Sequence, residues 1–100
     1  MTTRHADLVA ALREAVFDGA GEVDPAVRRA AGSGTDVPDV WSTYVSKVRD
    51  ASYRITDADV AALKSAGCTE EEIFEMTVAA ATGASLHRFD LGLRAMDREG

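Results

Sequence analysis

The longest helical pattern in the chain is TEEEIFEMTVAAATGASLHRFDLGLRAMD, residues 69–97. Thr69 is followed three residues later by Glu72, which is the capping-box pattern that marks the start of a helix. At about 1.5 Å per residue the pattern would be roughly 40 Å long, whereas a compact domain of this size has a radius of gyration of about 13 Å. We therefore predict a helix that either extends beyond its own domain or bends near Gly83.

Apolar residues of this long helix fall on two faces. The phenylalanine seam comprises Phe74, Val78, Ala81, Phe89 and Met96. The alanine seam comprises Ile73, Ala80, Ala84, Leu91 and Ala95. Two apolar faces need more cover than four short helices supply, and the small residues of 78–85 permit close approach of another backbone. We predict that the helix packs both on its own domain and on another subunit, with an interface formed by Phe74, Val78, Ala81 and Phe89.

The remaining chain also has helical signals and no strand pattern. Asp24 and Pro25 form a cap followed by proline at the first helical position, whereas residues 32–36 predict a loop. Trp41, Tyr44 and Val48 recur at helical spacing. We predict an all-α fold, a small bundle of about five helices in a single domain of residues 1–100. Residues 1–34 form an N-terminal helix pair and residues 36–98 form the core, and the docking of the pair is left open.

Composition excludes several classes of function. The chain has a net charge of −6, and a negatively charged surface repels phosphate groups. We therefore predict that it binds neither nucleic acid nor anionic membrane. No apolar run is long enough to span a bilayer, and the N-terminus lacks a signal-peptide pattern. With Cys68 as the single cysteine, no internal disulfide can form. These features predict a cytoplasmic protein.

Residues 55–96 resemble the C-terminal half of the alkylhydroperoxidase-D-like proteins, the carboxymuconolactone decarboxylase superfamily. The matching stretches are AGCTEEEIFE at 66–75 and TVAAA at 77–81. In that family an Ala-Gly turn and an acidic capping box join the active-site helix to a long alanine-rich helix. The resemblance implies an all-helical, oligomeric protein, either a homo-oligomer or a hetero-oligomer with a related helical subunit.

The family's redox motif, Cys-x-x-Cys-x-x-x-His with a glycine eight residues after the histidine, is degenerate in this chain. Counting back from Gly67 places the three motif positions at Ser52, Ile55 and Asp59. A dithiol relay needs two sulfurs close enough to form a disulfide and a base nearby to form the thiolate. Ser52 and Ile55 supply no thiol at the two cysteine positions. We therefore do not expect this protein to reduce peroxides by the dithiol mechanism.

Few other residues are candidates for chemistry. His87, Arg88 and Asp59 are the nearest available acid–base groups if the helix lines a pocket of the family type. Cys68 is interpreted as an ordinary half-buried residue, because the glutamates at 70–72 would oppose a thiolate. Asp57 and Asp59 are explained by helix capping, so we predict no metal site and no cofactor.

Three functional interpretations follow. The first is a non-catalytic interaction subunit that assembles with itself or with a catalytic relative. The second is a thiol-independent enzyme or ligand-binding protein of the decarboxylase type, acting on a small carboxylated or lactone substrate. The third is a small regulatory or adaptor domain of unrelated topology, in which only the capping pattern is shared.

Overall fold

The computed structural model describes the backbone of residues 2–99 and the side chains of residues 6–97. Within that range the protein is all-α, as predicted, with five α-helices and two short helical turns. The α-helices are α1 (Thr2–Arg13), α2 (Pro25–Ser33), α3 (Asp39–Ala51), α4 (Asp57–Ser65) and α5 (Glu70–Glu99). A π-helical turn (Glu14–Asp18) continues α1, and a 3-10 turn (Ser52–Arg54) continues α3. None of the described helices is both long and apolar enough to cross a membrane.

Hydrogen bonds at the helix starts confirm the predicted caps. The amide of Ala26 donates to the Asp24 carboxylate at 2.8 Å at the start of α2. At the start of α5 the Thr69 amide donates to the Glu72 carboxylate at 2.8 Å, and the Glu72 amide donates to the Thr69 hydroxyl at 3.1 Å. Each bond satisfies an amide that has no partner inside its helix. Gly67, just before the α5 cap, has a φ of +99°, the left-handed conformation expected for it.

Helix α2 is longer than the sequence suggested. It continues through Ser33, so the prediction of a loop beginning at residue 32 is wrong for residues 32 and 33. The helix ends at Gly34, whose φ of +72° lets its amide donate back to the carbonyl of Ala30 at 2.8 Å. Gly32 lies buried inside the helix, where its lack of a side chain serves packing and does not break the helix.

The core lies where α2 and α3 pack against the first half of α5. The apolar residues of α3 that recur at helical spacing form one stripe, and this α3 stripe is buried in the core. It comprises Trp41, Tyr44, Val45 and Val48. From α5 the core receives Ile73, Met76, Ala79 and Ala80. Small side chains on α5 allow α2 to approach its backbone, as predicted for the run of alanines.

The second half of α5 extends beyond the core. α5 is one helix of 30 residues that passes through Gly83 without interruption, so of the two predicted alternatives the protein has the extended helix. Residues 87–97 are all exposed, and the molecule measures 50 × 28 × 21 Å. The alanine seam is buried at Ile73, Ala80 and Ala84 but exposed at Leu91 and Ala95.

Two side chains hold the segment that joins α1 to α2. Arg28 is 3% exposed, and its guanidinium donates to the carbonyls of Val16 and Val23, each at 3.1 Å, and to that of Gly19. From the other side, the Glu75 carboxylate on α5 accepts the amide of Val23 at 3.0 Å. The joining segment is therefore bound on both its carbonyl and its amide side, which positions the π-helical turn after α1 against α2.

Candidate functional site

An open groove lies between α1 and the exposed half of α5. Its volume is about 820 Å³, which is within the range of about 300–1,000 Å³ of small-molecule sites. One wall comes from α1 and the other from α5. The lining residues are Ala6, Val9, Ala10, Arg13, Phe17, Asp18, Arg29, Gly32, Ser33, Arg49, Gly83, Leu86, His87, Phe89, Asp90 and Leu93. We call this the α1–α5 groove.

The floor of the groove is formed where two helices approach each other through glycine. A Cβ atom on Gly83 would overlap the backbone of Gly32, and one on Gly32 would overlap the ring of Phe17. Because neither glycine has a side chain, α2 and α5 pack with their backbones in contact, and Phe17 closes the gap beside them. Gly32, Gly83 and Phe17 thus form the floor of the groove.

Some charged side chains around the groove are already paired. Asp18 accepts from Arg29 in an ion pair at the surface. Asp90 accepts from Arg94 at 3.1 Å, one helical turn further along α5. Both carboxylates that line the groove are therefore neutralised by arginines.

The other basic side chains of the groove form no ion pair with a carboxylate of the described residues. The Arg49 guanidinium donates to the carbonyl of Gly32 at the floor, which is an uncharged acceptor. Arg13 and His87 form no side-chain hydrogen bond or ion pair with the described residues. Although the chain has a net charge of −6, no carboxylate of the described residues forms an ion pair with Arg13 or Arg49 in this groove.

The structure does not bring the three sequence-predicted acid–base candidates together. His87 lines the α1–α5 groove, but Arg88 and Asp59 do not. The guanidinium of Arg88 donates to the carbonyl of Arg49 and so ties α5 to α3. Asp59 lies at the start of α4, where it caps the helix and accepts from Lys47 at 2.8 Å.

Electrostatics at Asp59 agree with a capping role. The hydrogen bond from Lys47, followed by that from the Thr56 amide, lowers the pKa of the Asp59 carboxyl below its ordinary value of 3.8. A general acid at neutral pH needs the opposite shift. Asp59 is therefore a permanently ionised cap under physiological conditions.

The degenerate motif positions lie apart from the groove. Ser52 is exposed in the 3-10 turn, and Ile55 is half-buried against the core. Cys68 packs against the same core, and burial, with a smaller contribution from Glu72, raises the pKa of its thiol. A raised pKa reduces the thiolate that nucleophilic chemistry requires. Among the described residues, no cluster of three potential ligands could hold a metal ion.

The predicted interface residues lie on the side of α5 that faces away from the core. Phe74 is 64% exposed and Phe89 is 44% exposed. Val78 is half-buried and Ala81 is exposed. Phe89 also lines the α1–α5 groove, so the phenylalanine seam and the groove meet at this side chain.

Sequence reasoning did not identify Arg13 and Arg49 as groove residues. A signal existed for Arg13, because it is four residues from both Val9 and Phe17 and so interrupts an apolar helical face with a charge. No such signal existed for Arg49, since it lines the groove only because α3 packs beside the α2–α5 crossing. Because Asp18 and Asp90 are paired with arginines, the guanidinium groups of Arg13 and Arg49 are the charged groups of the described lining without an ion-pair partner, an arrangement suited to binding an anion.

Comparison of the chain with protein-family models, with curated proteins and with solved structures finds no match.

Proposed function

We propose that this protein is a non-catalytic interaction subunit that self-associates through the phenylalanine seam of α5. The observation that supports the proposal most is the exposure of this seam, with Phe74 64% and Met96 68% exposed. Full burial of one such side chain stabilises an association by about 1.5–3 kcal/mol. Large apolar patches of this kind are uncommon on monomers and are typical of interaction surfaces.

The length of α5 favours a second copy as the partner. A helix of 30 residues is about 45 Å long, and the rest of the chain covers only its first half. Stable interfaces bury about 800 Å² on each partner. The exposed residues 87–97 extend the surface available to a partner beyond the seam along the same helix.

The resemblance to the carboxymuconolactone decarboxylase superfamily is part of this proposal. Members of that superfamily are oligomeric, and this chain lacks the thiols of their redox motif at Ser52 and Ile55. A hetero-oligomer with a catalytic relative that carries the complete motif is a specific form of the proposal. Co-expression followed by co-purification would separate this form from self-association.

Sedimentation velocity at micromolar concentration tests the proposal. We expect the wild-type chain to sediment as an oligomer and Phe74→Gln to weaken the association by more than about tenfold, because buried aromatic anchors dominate interface energy. Tyr53→Gln is the matched control, since Tyr53 is 87% exposed and lies outside α5. A monomeric wild-type chain throughout this range, or equal effects of the two variants, would contradict the proposal.

A second candidate is a thiol-independent ligand-binding protein or enzyme. The observation in its favour is that His87, the acid–base candidate on α5, lines the α1–α5 groove. Ligand-detected NMR with small carboxylated and lactone compounds tests it, and loss of binding in His87→Ala would place the ligand in the groove. Unchanged signals in that variant would remove the role suggested for His87.

A further inference from the structure

We propose that the α1–α5 groove binds a linear apolar monocarboxylic acid, with its carboxylate near Arg13, Arg49 and His87 and its chain between the two helices. The inference rests on the second candidate function and gives it a ligand class. It does not require self-association through the phenylalanine seam, although Phe89 belongs to both surfaces.

Three basic side chains, those of Arg13, Arg49 and His87, lie at or near the floor of the groove. Arg13 is four residues before Phe17 on α1, and His87 is four residues after Gly83 on α5. Residues four apart on a helix occupy one face about one turn apart, so both side chains lie about one turn from the floor. Arg49 reaches the floor itself through its bond to the Gly32 carbonyl.

Charge complementarity selects an anion for this end of the groove. The lining carboxylates of Asp18 and Asp90 are already paired with arginines. Arg13 and Arg49, in contrast, form no ion pair with a carboxylate of the described residues. A guanidinium presents several N–H donors in a planar fork that matches a carboxylate, and hydrogen bonds between charged groups are stronger than neutral ones.

Apart from Asp90, which is paired with Arg94, the α5 wall beyond His87 is lined by apolar side chains. Ala6 and Val9 line the α1 wall, and Leu86, Phe89 and Leu93 line the α5 wall. From Gly83 to Leu93 the α5 wall is about 15 Å long, which suits the extended chain of a medium-length fatty acid. Basic side chains at the floor and mainly apolar side chains along the two helices match the two ends of such a molecule.

Isothermal titration with decanoate, below its micellar concentration, tests the inference on the full chain. We expect one decanoate to bind per protomer. Arg13→Gln should weaken the affinity about tenfold, because the substitution removes a hydrogen bond between a charged donor and the carboxylate. Arg54→Gln is the control, because it removes the same charge from an exposed residue of the 3-10 turn. Circular dichroism checks that both variants remain folded.

Titration with 1-decanol separates the possible failures. If decanol binds as tightly as decanoate, the anion site is wrong, although a ligand-binding function for the groove survives. If neither compound binds, both the inference and the second candidate function fail. If Leu93→Ser converts an oligomer into a monomer while decanoate does not bind, a second copy fills the groove and the inference is overturned.

Discussion

Gly83 on α5 lies against the backbone of Gly32 on α2, with no room for a side chain between the two helices. This contact sets the distance between the helices and forms the floor of the α1–α5 groove. We expect Gly83→Ala to lower the free energy of unfolding by about 2 kcal/mol, because overpacking costs about 1–3 kcal/mol and outweighs the gain in helix propensity. Urea denaturation measures the change.

Gly92 on the same helix provides the matched control. A Cβ atom there would meet nothing within 4 Å, so Gly92→Ala should stabilise the protein by about 0.5–1 kcal/mol through helix propensity alone. Equal effects of the two substitutions would show that close packing at Gly83 does not determine stability.

A second prediction concerns Arg28, the buried arginine of α2. Arg28→Lys should destabilise the protein by about 3 kcal/mol, because a lysine cannot reach all three carbonyls that the guanidinium binds. Thermal or urea unfolding measures the loss. Arg29→Lys is the control: Arg29 pairs with Asp18 at the surface, with 55% of its side chain exposed, and should change stability by less than about 1 kcal/mol. A small effect at Arg28 would mean that water or another group satisfies these carbonyls.

The hydrogen bond between Tyr44 and Thr77 yields a third prediction. The Thr77 hydroxyl donates its single hydrogen to the carbonyl of Ile73 at 2.6 Å, so Tyr44 is the donor in its 2.7 Å bond to Thr77. Tyr44→Phe should therefore cost about 1 kcal/mol of unfolding free energy and leave the oligomeric state unchanged. Urea denaturation and sedimentation test the two parts separately, and a change of assembly would contradict the buried position of this pair.

Stability should also depend on the ionisation of Asp59. Because the bond from Lys47 lowers the pKa of Asp59 in the folded protein, its contribution is complete above the pKa of the unfolded chain and is lost as pH falls through the lower folded value. Asp59→Asn should thus be less stable than wild type at neutral pH. The difference should shrink as the pH falls below 3.8, and unfolding curves across that range measure it. A difference that does not depend on pH would contradict the role of the charge.

Local signals in the sequence predicted most of the helices. The caps at Asp24 and Thr69 act within a few residues of the chain, so their patterns remain valid in any tertiary setting. The same holds for the burial of the α3 stripe that contains Trp41. The prediction that failed, a loop beginning at Gly32, failed because glycine in a helix is locally unfavourable and is tolerated here by the close contact with Gly83.

The candidate site was only partly predictable. His87 was recognised by its residue type and by its place on the long helix, and the phenylalanine seam was recognised by its spacing. The family resemblance led to the prediction that Asp59 and His87 lie near the same pocket. In the structure His87 lines the groove, whereas Asp59 caps α4. Arg49 lies on α3 and lines the groove only because of tertiary packing. No pattern along the chain indicates that its side chain lies near α1 and α5.

The sequence by itself determined the helical class, the helix starts and the excess of apolar surface on α5, because these depend on short-range hydrogen bonding and on composition. Only the tertiary structure decided which seam is covered, how far α5 extends from the core and which cations surround the groove. These features depend on contacts between residues far apart in the chain, and the packing of Gly32 against Gly83 sets the geometry that creates them.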